Sequence, residues 1–277
     1  MTGSLRQRTI RRPVSVSGQG IHSGEDAEVT LGPGPIFSGI VFRRLDRADA
    51  SPVRATLSTV TDTRRGITLG QGSSTVRTVE HLVAAAAGLG VSNLTVSMRG
   101  EEVPVLDGSA GPFCALLDDA GIEEQDAAIE PIMPSGPVWV AAGGASILAL
   151  PASALRITYV VPLGHPVLGA ALTADVTFAP GVFARDVAPA RTWGFTAEVE
   201  ALRAQGLARG ATAENALGVG PNGYLSPPRM ADEPARHKIL DLVGDLALLG
   251  RPLRAHVIAM GAGHALHVDL ARRIVRG

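Results

Sequence analysis

Residues 237–250, with the sequence HKILDLVGDLALLG, decide how the chain folds. Their apolar residues recur with the period of an α-helix and the stretch ends at Gly250, so it predicts a long helix. His237, Asp241 and Asp245 are spaced four residues apart and therefore share one face of that helix. An imidazole and a carboxylate one turn apart can bind a single metal ion, so this stretch predicts both a core element and a candidate site.

The order of elements around this helix occurs twice along the chain. Each half begins with two strand-like segments and continues with a helix, a strand and a second helix. The segments of the first half cover residues 14–16, 27–31, 79–88, 93–98 and 112–120. Those of the second half cover residues 138–140, 146–150, 234–249, 255–260 and 264–275. We therefore predict an α+β fold made of two copies of one unit, with largely antiparallel sheets because hairpin signals such as Gly143-Gly144 are present.

A short acidic segment predicts the boundary between the two copies. Residues 123–126 contain three acidic side chains, and two prolines follow by residue 134, so the periodicity is interrupted there. We place a first domain at residues 1–127 and a second domain at residues 128–277. The candidate site residues then come from both domains.

The composition excludes several classes of protein. The chain has 277 residues and a formal net charge of -1, and it lacks the basic excess of proteins that bind nucleic acid in bulk. Its one cysteine, Cys114, excludes an internal disulfide and a multi-cysteine zinc site, so histidine and carboxylate are the expected metal ligands. No stretch is long and apolar enough for a transmembrane helix. We expect a cytoplasmic monomer.

A second histidine and a glutamate lie on the first predicted helix. The apolar positions of residues 79–88 leave His81 on the opposite side, beside small residues that let another element approach closely. The duplicated layout predicts that this side meets His237 and Asp241. Two imidazoles and one carboxylate form the open three-ligand set of catalytic zinc sites, and they also suit iron(II). Glu80 projects about 100° around the helix from His81 and is a candidate general base for a metal-activated water.

One further histidine completes the predicted site. His264 begins the last helix, where backbone N–H groups disfavour a charged imidazole, and a hydrogen bond to Asp245 can offset this effect. A charged histidine can stabilise an oxyanion and protonate a leaving amine, so the implied reaction is hydrolysis of an amide or ester. Taken singly, such spacings more often belong to structural pairs, and only their combination favours a site. The remaining histidines are interpreted as structural or surface residues: His22, His165, His256 and His267.

Seven short motifs are distinctive in their order and spacing. They are residues 18–24 (GQGIHSG), 39–43 (GIVFR), 78–82 (TVEHL), 103–110 (VPVLDGSA), 190–195 (ARTWGF), 237–245 (HKILDLVGD) and 263–266 (GHAL). Together they resemble the zinc-dependent UDP-3-O-acyl-N-acetylglucosamine deacetylases of lipid A synthesis. The resemblance implies two tandem β-α-α-β domains packed as a sandwich, with the helices inside, the sheets outside and the active site between the domains.

The resemblance also implies the chemistry of the site. The zinc ligands of the family fall on His81, His237 and Asp241, the general base falls on Glu80, and a charged histidine falls on His264. In the implied reaction, zinc-activated water removes the acetyl group from a UDP-3-O-acyl-N-acetylglucosamine, and acetate leaves a free amine.

Other positions match supporting residues of the family, or depart from it. Asp245 matches the carboxylate that orients the charged histidine. The positions that match contacts to the substrate or the oxyanion are Lys238, the only lysine of the chain, with Thr192, Trp193 and Phe195. Gly261 and Ala262 stand where the family usually has a lysine and a serine, and Asp269 stands where a basic residue is expected. Residues 160–173 are expected to build the passage for the acyl chain.

Two alternatives to this deacetylase are consistent with the sequence. One is a deacetylase of a different N-acylated amino sugar that has lost recognition of the diphosphate and of the acyl chain. The other is a noncatalytic binding module, because the topology of each half also resembles a ribosomal-protein fold and a fold alone does not determine function.

Overall fold

The computed structural model describes residues 5–276, and it contains a full set of elements in each half. The elements of the first half are β1 (Leu5–Ile10), β2 (Val14–Gln19), β3 (Asp26–Pro33), β4 (Ile40–Arg44), β5 (Val53–Arg54), β6 (Val60–Asp62), β7 (Thr68–Leu69), β8 (Val76–Arg77), α1 (Glu80–Gly88), β9 (Leu94–Arg99), α2 (Gly111–Ala120) and β10 (Ile122–Ile129). A short 3₁₀ helix, Gly72–Ser74, precedes β8. The helices and strands predicted for this half are confirmed to within one to three residues at their ends.

The second half is longer because a large segment separates its first four strands from its long helix. Its elements are β11 (Val138–Ala142), β12 (Ala145–Pro151), β13 (Arg156–His165), β14 (Gly169–Thr177), β15 (Trp193–Phe195), α3 (Thr196–Ala204), β16 (Leu217–Gly220), β17 (Gly223–Tyr224), α4 (Glu233–Ala247), β18 (Ala255–Met260) and α5 (His264–Arg276). A π-helical turn, Phe183–Val187, follows β14. Among the described residues, none of the helices is both long and apolar enough to cross a membrane.

Two five-stranded sheets repeat one topology. Their strand orders are β2-β3-β9-β4-β5 and β11-β12-β18-β13-β14. In each sheet the central strand is the one that follows the site-bearing helix, namely β9 after α1 and β18 after α4. Each central strand is parallel to only one of its neighbours, since β9 runs parallel to β4 and β18 runs parallel to β13. The remaining pairs are antiparallel. This confirms the predicted duplication and the largely antiparallel sheets.

Helices α1, α2, α4 and α5 lie inside and the two five-stranded sheets lie outside, whereas α3 has no buried residue. Strands such as β3 and β12 alternate buried and exposed residues, so each sheet has one face in the core and one in solvent. Helix α1 buries seven of its nine residues and α4 buries twelve of its fifteen, because both are enclosed on several sides. The two helices approach closely at Gly244, where an added Cβ atom would lie 2.3 Å from the backbone oxygen of Glu80. This contact brings the site-bearing face of each half against the other.

Residues 160–173, which were expected to build the acyl passage, form the β13–β14 hairpin at the edge of the second sheet and do not line the cavity described below. Their apolar residues alternate because one face of each strand is buried in the core, as the burial pattern of β13 indicates. The domain boundary at residues 127 and 128 stays a prediction, and β10, which pairs with β1, runs across it. The outer domain limits at residues 1 and 277 lie outside the described residues.

Replacing Gly244 with alanine is expected to destabilise the protein by ~1–3 kcal/mol or more, because the added methyl group collides with backbone that cannot move as a flexible side chain does. Chemical denaturation measures the change. Gly136→Ala is the control, since its added Cβ contacts nothing within 4 Å. Equal stability of the two variants would contradict the close packing of α1 against α4.

Candidate metal centre and active-site cavity

Three metal-ligating side chains from the two halves converge between α1 and α4. Nε2 of His81 and Nε2 of His237 lie 3.5 Å and 3.4 Å from Oδ1 of Asp241. The candidate ligand atoms all lie within 4.8 Å of one another, and the three residues are buried. Two atoms that are each about 2.1 Å from one tetrahedral ion are about 3.4 Å apart, so this donor set fits a single divalent metal. The predicted meeting of the two helices is therefore confirmed in its geometry.

The protonation of the second histidine suits a metal ligand. Nδ1 of His237 lies 3.2 Å from the carbonyl oxygen of Ala190, which can only accept, so Nδ1 carries the proton and Nε2 presents its lone pair. Burial lowers the pKa of His237 to about 3, and the ring is neutral at physiological pH. A neutral imidazole held by a backbone carbonyl is the form that binds metal.

The two carboxylate oxygens of Asp241 have different partners. Oδ1 faces the two histidines, whereas Oδ2 accepts a hydrogen bond of 2.8 Å from Nζ of Lys238. Burial alone would raise the pKa of Asp241, but the ammonium of Lys238 and the side-chain hydrogen bond of His81 hold it well below its usual value. The carboxylate is therefore charged, as a metal ligand must be.

Glu80 lies beside this donor set with one oxygen anchored. Its Oε2 accepts a hydrogen bond of 3.0 Å from the backbone N–H of Ile67, whereas Oε1 lies 4.0 Å from Nε2 of His264. Burial raises the pKa of Glu80, which brings it nearer to the pH at which a general base is effective. The side chain is thus placed to exchange a proton in the space next to the three ligands.

His264 faces the same space and is held by Asp245. Its Nδ1 lies 2.7 Å from Oδ2 of Asp245, and its Nε2 lies 4.0 Å from Oδ2 of Asp241. Burial would lower the pKa of His264, but the charge and the hydrogen bond of Asp245 outweigh it and raise the pKa to about 9. The imidazole is therefore charged at neutral pH and presents an Nε2–H donor beside Glu80.

A cavity of about 720 Å³ opens from these residues. The predicted substrate-side residues line it: Lys238, Thr192, Trp193 and Phe195. Trp193 and Phe195 pack edge to face with ring centroids 5.8 Å apart. Helix α3 adds the apolar side chains of Val199 and Leu202 to the wall. The long segment after β14 therefore supplies much of the apolar wall of the cavity, to which the β13–β14 hairpin contributes no residue.

Two supporting interactions were not predicted. The buried guanidinium of Arg191 pairs with Glu233 at 2.9 Å, and the same carboxylate oxygen accepts the backbone N–H of Arg191. This pair fixes the segment that carries Thr192 to the start of α4, and no local signal reveals it because the partners are 42 residues apart in sequence. His267 also reaches the site, since its Nδ1 lies 2.8 Å from Oδ2 of Asp245. Its spacing of three residues from His264 on one helix is the signal that could have found it.

The enclosed donor set, the neighbouring acid and base groups and the adjoining cavity are those of a metal-dependent hydrolase. Comparison with known proteins then identifies the group within this class. A family profile described as UDP-3-O-acyl N-acetylglycosamine deacetylase matches residues 7–276. The chain belongs to this family of deacetylases.

Individual relatives support the same assignment. A UDP-3-O-acyl-N-acetylglucosamine deacetylase of Myxococcus xanthus is 43% identical over 274 residues, which cover 98% of this chain and 87% of the relative. The protein of the same name from Thermosynechococcus vestitus is 42% identical over 271 residues, covering 98% and 94% of the two chains. The protein is therefore an enzyme of the deacetylase class, and the noncatalytic alternative is not favoured.

Proposed function

We propose that this enzyme removes the acetyl group from a UDP-3-O-acyl-N-acetylglucosamine, with a zinc ion held by His81, His237 and Asp241. The observation that carries the proposal is the convergence of these three donors beside Glu80 and a charged His264 in a member of a deacetylase family. The same ligands also suit iron(II), which is the second candidate for the bound ion after zinc. The proposed enzyme acts as a cytoplasmic monomer with its site between domains 1–127 and 128–277.

Different side chains around the metal ligands accept and donate the protons of the reaction. A divalent ion held by His81, His237 and Asp241 would supply Lewis-acid chemistry, which polarises an acetamide carbonyl and lowers the pKa of water. Glu80 accepts a proton from the attacking water through Oε1, the oxygen that Ile67 leaves free. The Nε2–H of His264 and the hydroxyl of Thr192 stabilise the oxyanion, and His264 donates a proton to the nitrogen as the C–N bond breaks. Acetate and the free amine are the products.

The cavity supplies contacts for the rest of the substrate. Cationic side chains at its wall, those of Arg65, Arg203 and Lys238, give the diphosphate partners of opposite charge. Asp269, which replaces an expected basic residue, is not among the lining residues, and its carboxylate lies 3.6 Å from the guanidinium of Arg273. The acid at this position therefore does not oppose the phosphates within the cavity.

Turnover of matched substrates tests the proposed specificity. We expect efficient deacetylation of the acylated UDP-sugar and much weaker turnover of UDP-N-acetylglucosamine and of free N-acetylglucosamine, because the apolar wall and the cations contact groups that these lack. Acetate release measures all three rates. Equal or faster turnover of the simple sugars would favour the alternative deacetylase, whereas no turnover of any N-acetylated sugar would contradict the proposed function.

The rate is expected to fall on the alkaline side near pH 9, because His264 acts as a charged donor and its raised pKa is about 9. The group is charged below that pH and loses its proton as the pH rises through it. Asp245→Asn removes the carboxylate charge that raises this pKa and leaves the burial that lowers it, so the alkaline limb should move to lower pH. The pH dependence of kcat measures the shift, and an unchanged limb in this variant would contradict the role of His264.

A further inference from the structure

His267 is a buried histidine outside the ligand set and outside the lining of the cavity. It lies one turn after His264 on α5, and its Nδ1 is 2.8 Å from Oδ2 of Asp245. The same oxygen accepts the hydrogen bond of 2.7 Å from Nδ1 of His264. Two imidazoles from one helix therefore bind one carboxylate oxygen of α4.

This arrangement determines which nitrogen of each ring carries a proton. A carboxylate can only accept, so both rings hold a proton on Nδ1. Oδ1 of Asp245 is buried and has no hydrogen-bond partner among the described residues. With His264 as its only partner, the carboxylate could rotate and offer either oxygen. The second donor, from His267, removes that freedom.

The other side of His267 is held by the sheet of the second half. The hydroxyl of Tyr159, on β13, lies 3.0 Å from Nε2 of His267 and 2.6 Å from the carbonyl oxygen of Ala262, so its one proton is shared between these two acceptors. Burial raises the pKa of Tyr159, so the hydroxyl keeps its proton. Ala262 lies two residues before His264. A continuous buried chain thus runs from β13 through Tyr159 and His267 to Asp245.

We infer that His267 is a positioning residue, which fixes the rotamer of Asp245 and through it the direction in which His264 presents Nε2–H. The inference rests on the proposed function, because that function gives His264 its role. His267 itself touches neither the ligands nor the cavity. Its effect is therefore expected on kcat, with KM and metal content unchanged.

Three substitutions separate positioning from simple core packing. His267→Leu keeps an apolar volume but has no donor. His267→Gln places its amide near the position of Nε2, whereas His267→Asn places an amide donor near that of Nδ1. We expect kcat to fall ~10–100-fold in the leucine and glutamine variants, as is usual for partners that orient a functional side chain, and asparagine to restore most of the loss. A role in packing alone predicts that asparagine, the smallest of the three, is the most impaired.

Nuclear magnetic resonance of histidine labelled with ¹⁵N gives a second readout that needs no turnover. In the unmutated enzyme the Nδ1–H protons of His264 and His267 are expected as two slowly exchanging low-field resonances. The His264 resonance should shift or broaden in His267→Leu and persist in His267→Asn. An unchanged His264 resonance in a folded His267→Leu variant, or an asparagine variant with kcat as low as the leucine variant, would overturn the inference. If the unmutated enzyme deacetylates no sugar but the resonances behave as described, the positioning stands and the proposed function fails.

Discussion

Glu80→Gln is expected to lower the rate of deacetylation by ~10²–10⁴-fold, the range that removal of a general base produces. The amide is nearly the same size as the carboxylate, and its oxygen can still accept the backbone N–H of Ile67, so the packing is retained. What is lost is the ability of Oε1 to take a proton. The measurement is kcat with the acylated UDP-sugar, together with metal content.

Two comparisons make this result specific to proton transfer. Glu101→Gln changes a half-exposed glutamate that pairs loosely with Arg77 at 3.9 Å, and it should leave kcat unchanged. The Glu80→Gln variant should also bind as much metal as the unmutated enzyme. A variant that keeps its metal and loses less than a few-fold in kcat would show that Glu80 is not the base.

His81→Ala is expected to release the metal and, with it, the activity. His81 is the one proposed ligand from the first half, and only His237 and Asp241, both on α4, remain without it. Loss of a direct ligand should cost more than the ~10–100-fold in affinity that loss of an orienting partner costs. Metal content after dialysis and kcat at limiting metal measure the effect.

The control for this variant is a histidine outside the site. His256 bonds to Thr158 within the second sheet at 2.9 Å, and His256→Ala should keep metal and activity. If His81→Ala retained the metal as tightly as the control, the first half would contribute no ligand, and the proposed centre would be wrong.

The fold could be predicted in large part because its repeated elements carry strong local patterns. The apolar period around His237 and the glycine after it predict α4, and the alternation of residues 255–260 predicts β18 with its observed limits. The single parallel pair in each sheet was not predictable, because it joins strands that are far apart in sequence. The acyl passage was placed at residues 160–173 from the resemblance and from their apolar composition, and neither of these says which surface the β13–β14 hairpin covers.

The site, like the fold, was predictable only in part. The spacing of His237, Asp241 and Asp245 predicted that they share one helix face, and the duplicated order of elements predicted that His81 lies near them. The hydrogen-bond partners that set the protonation of a ligand come from distant segments. The backbone oxygen of Ala190 at Nδ1 of His237 is an example. A single sequence carries no local trace of such contacts, so the protonation of His237 could not be predicted from it.

We propose that two histidines and one aspartate from opposite halves bind one divalent ion. Anomalous diffraction from crystals of the purified enzyme, collected at the zinc and iron absorption edges, would locate that ion. We expect one peak per chain, about 2.0–2.2 Å from Nε2 of His81, Nε2 of His237 and Oδ1 of Asp241. A catalytically active crystal form with no peak there, or with its metal on other residues, would contradict it.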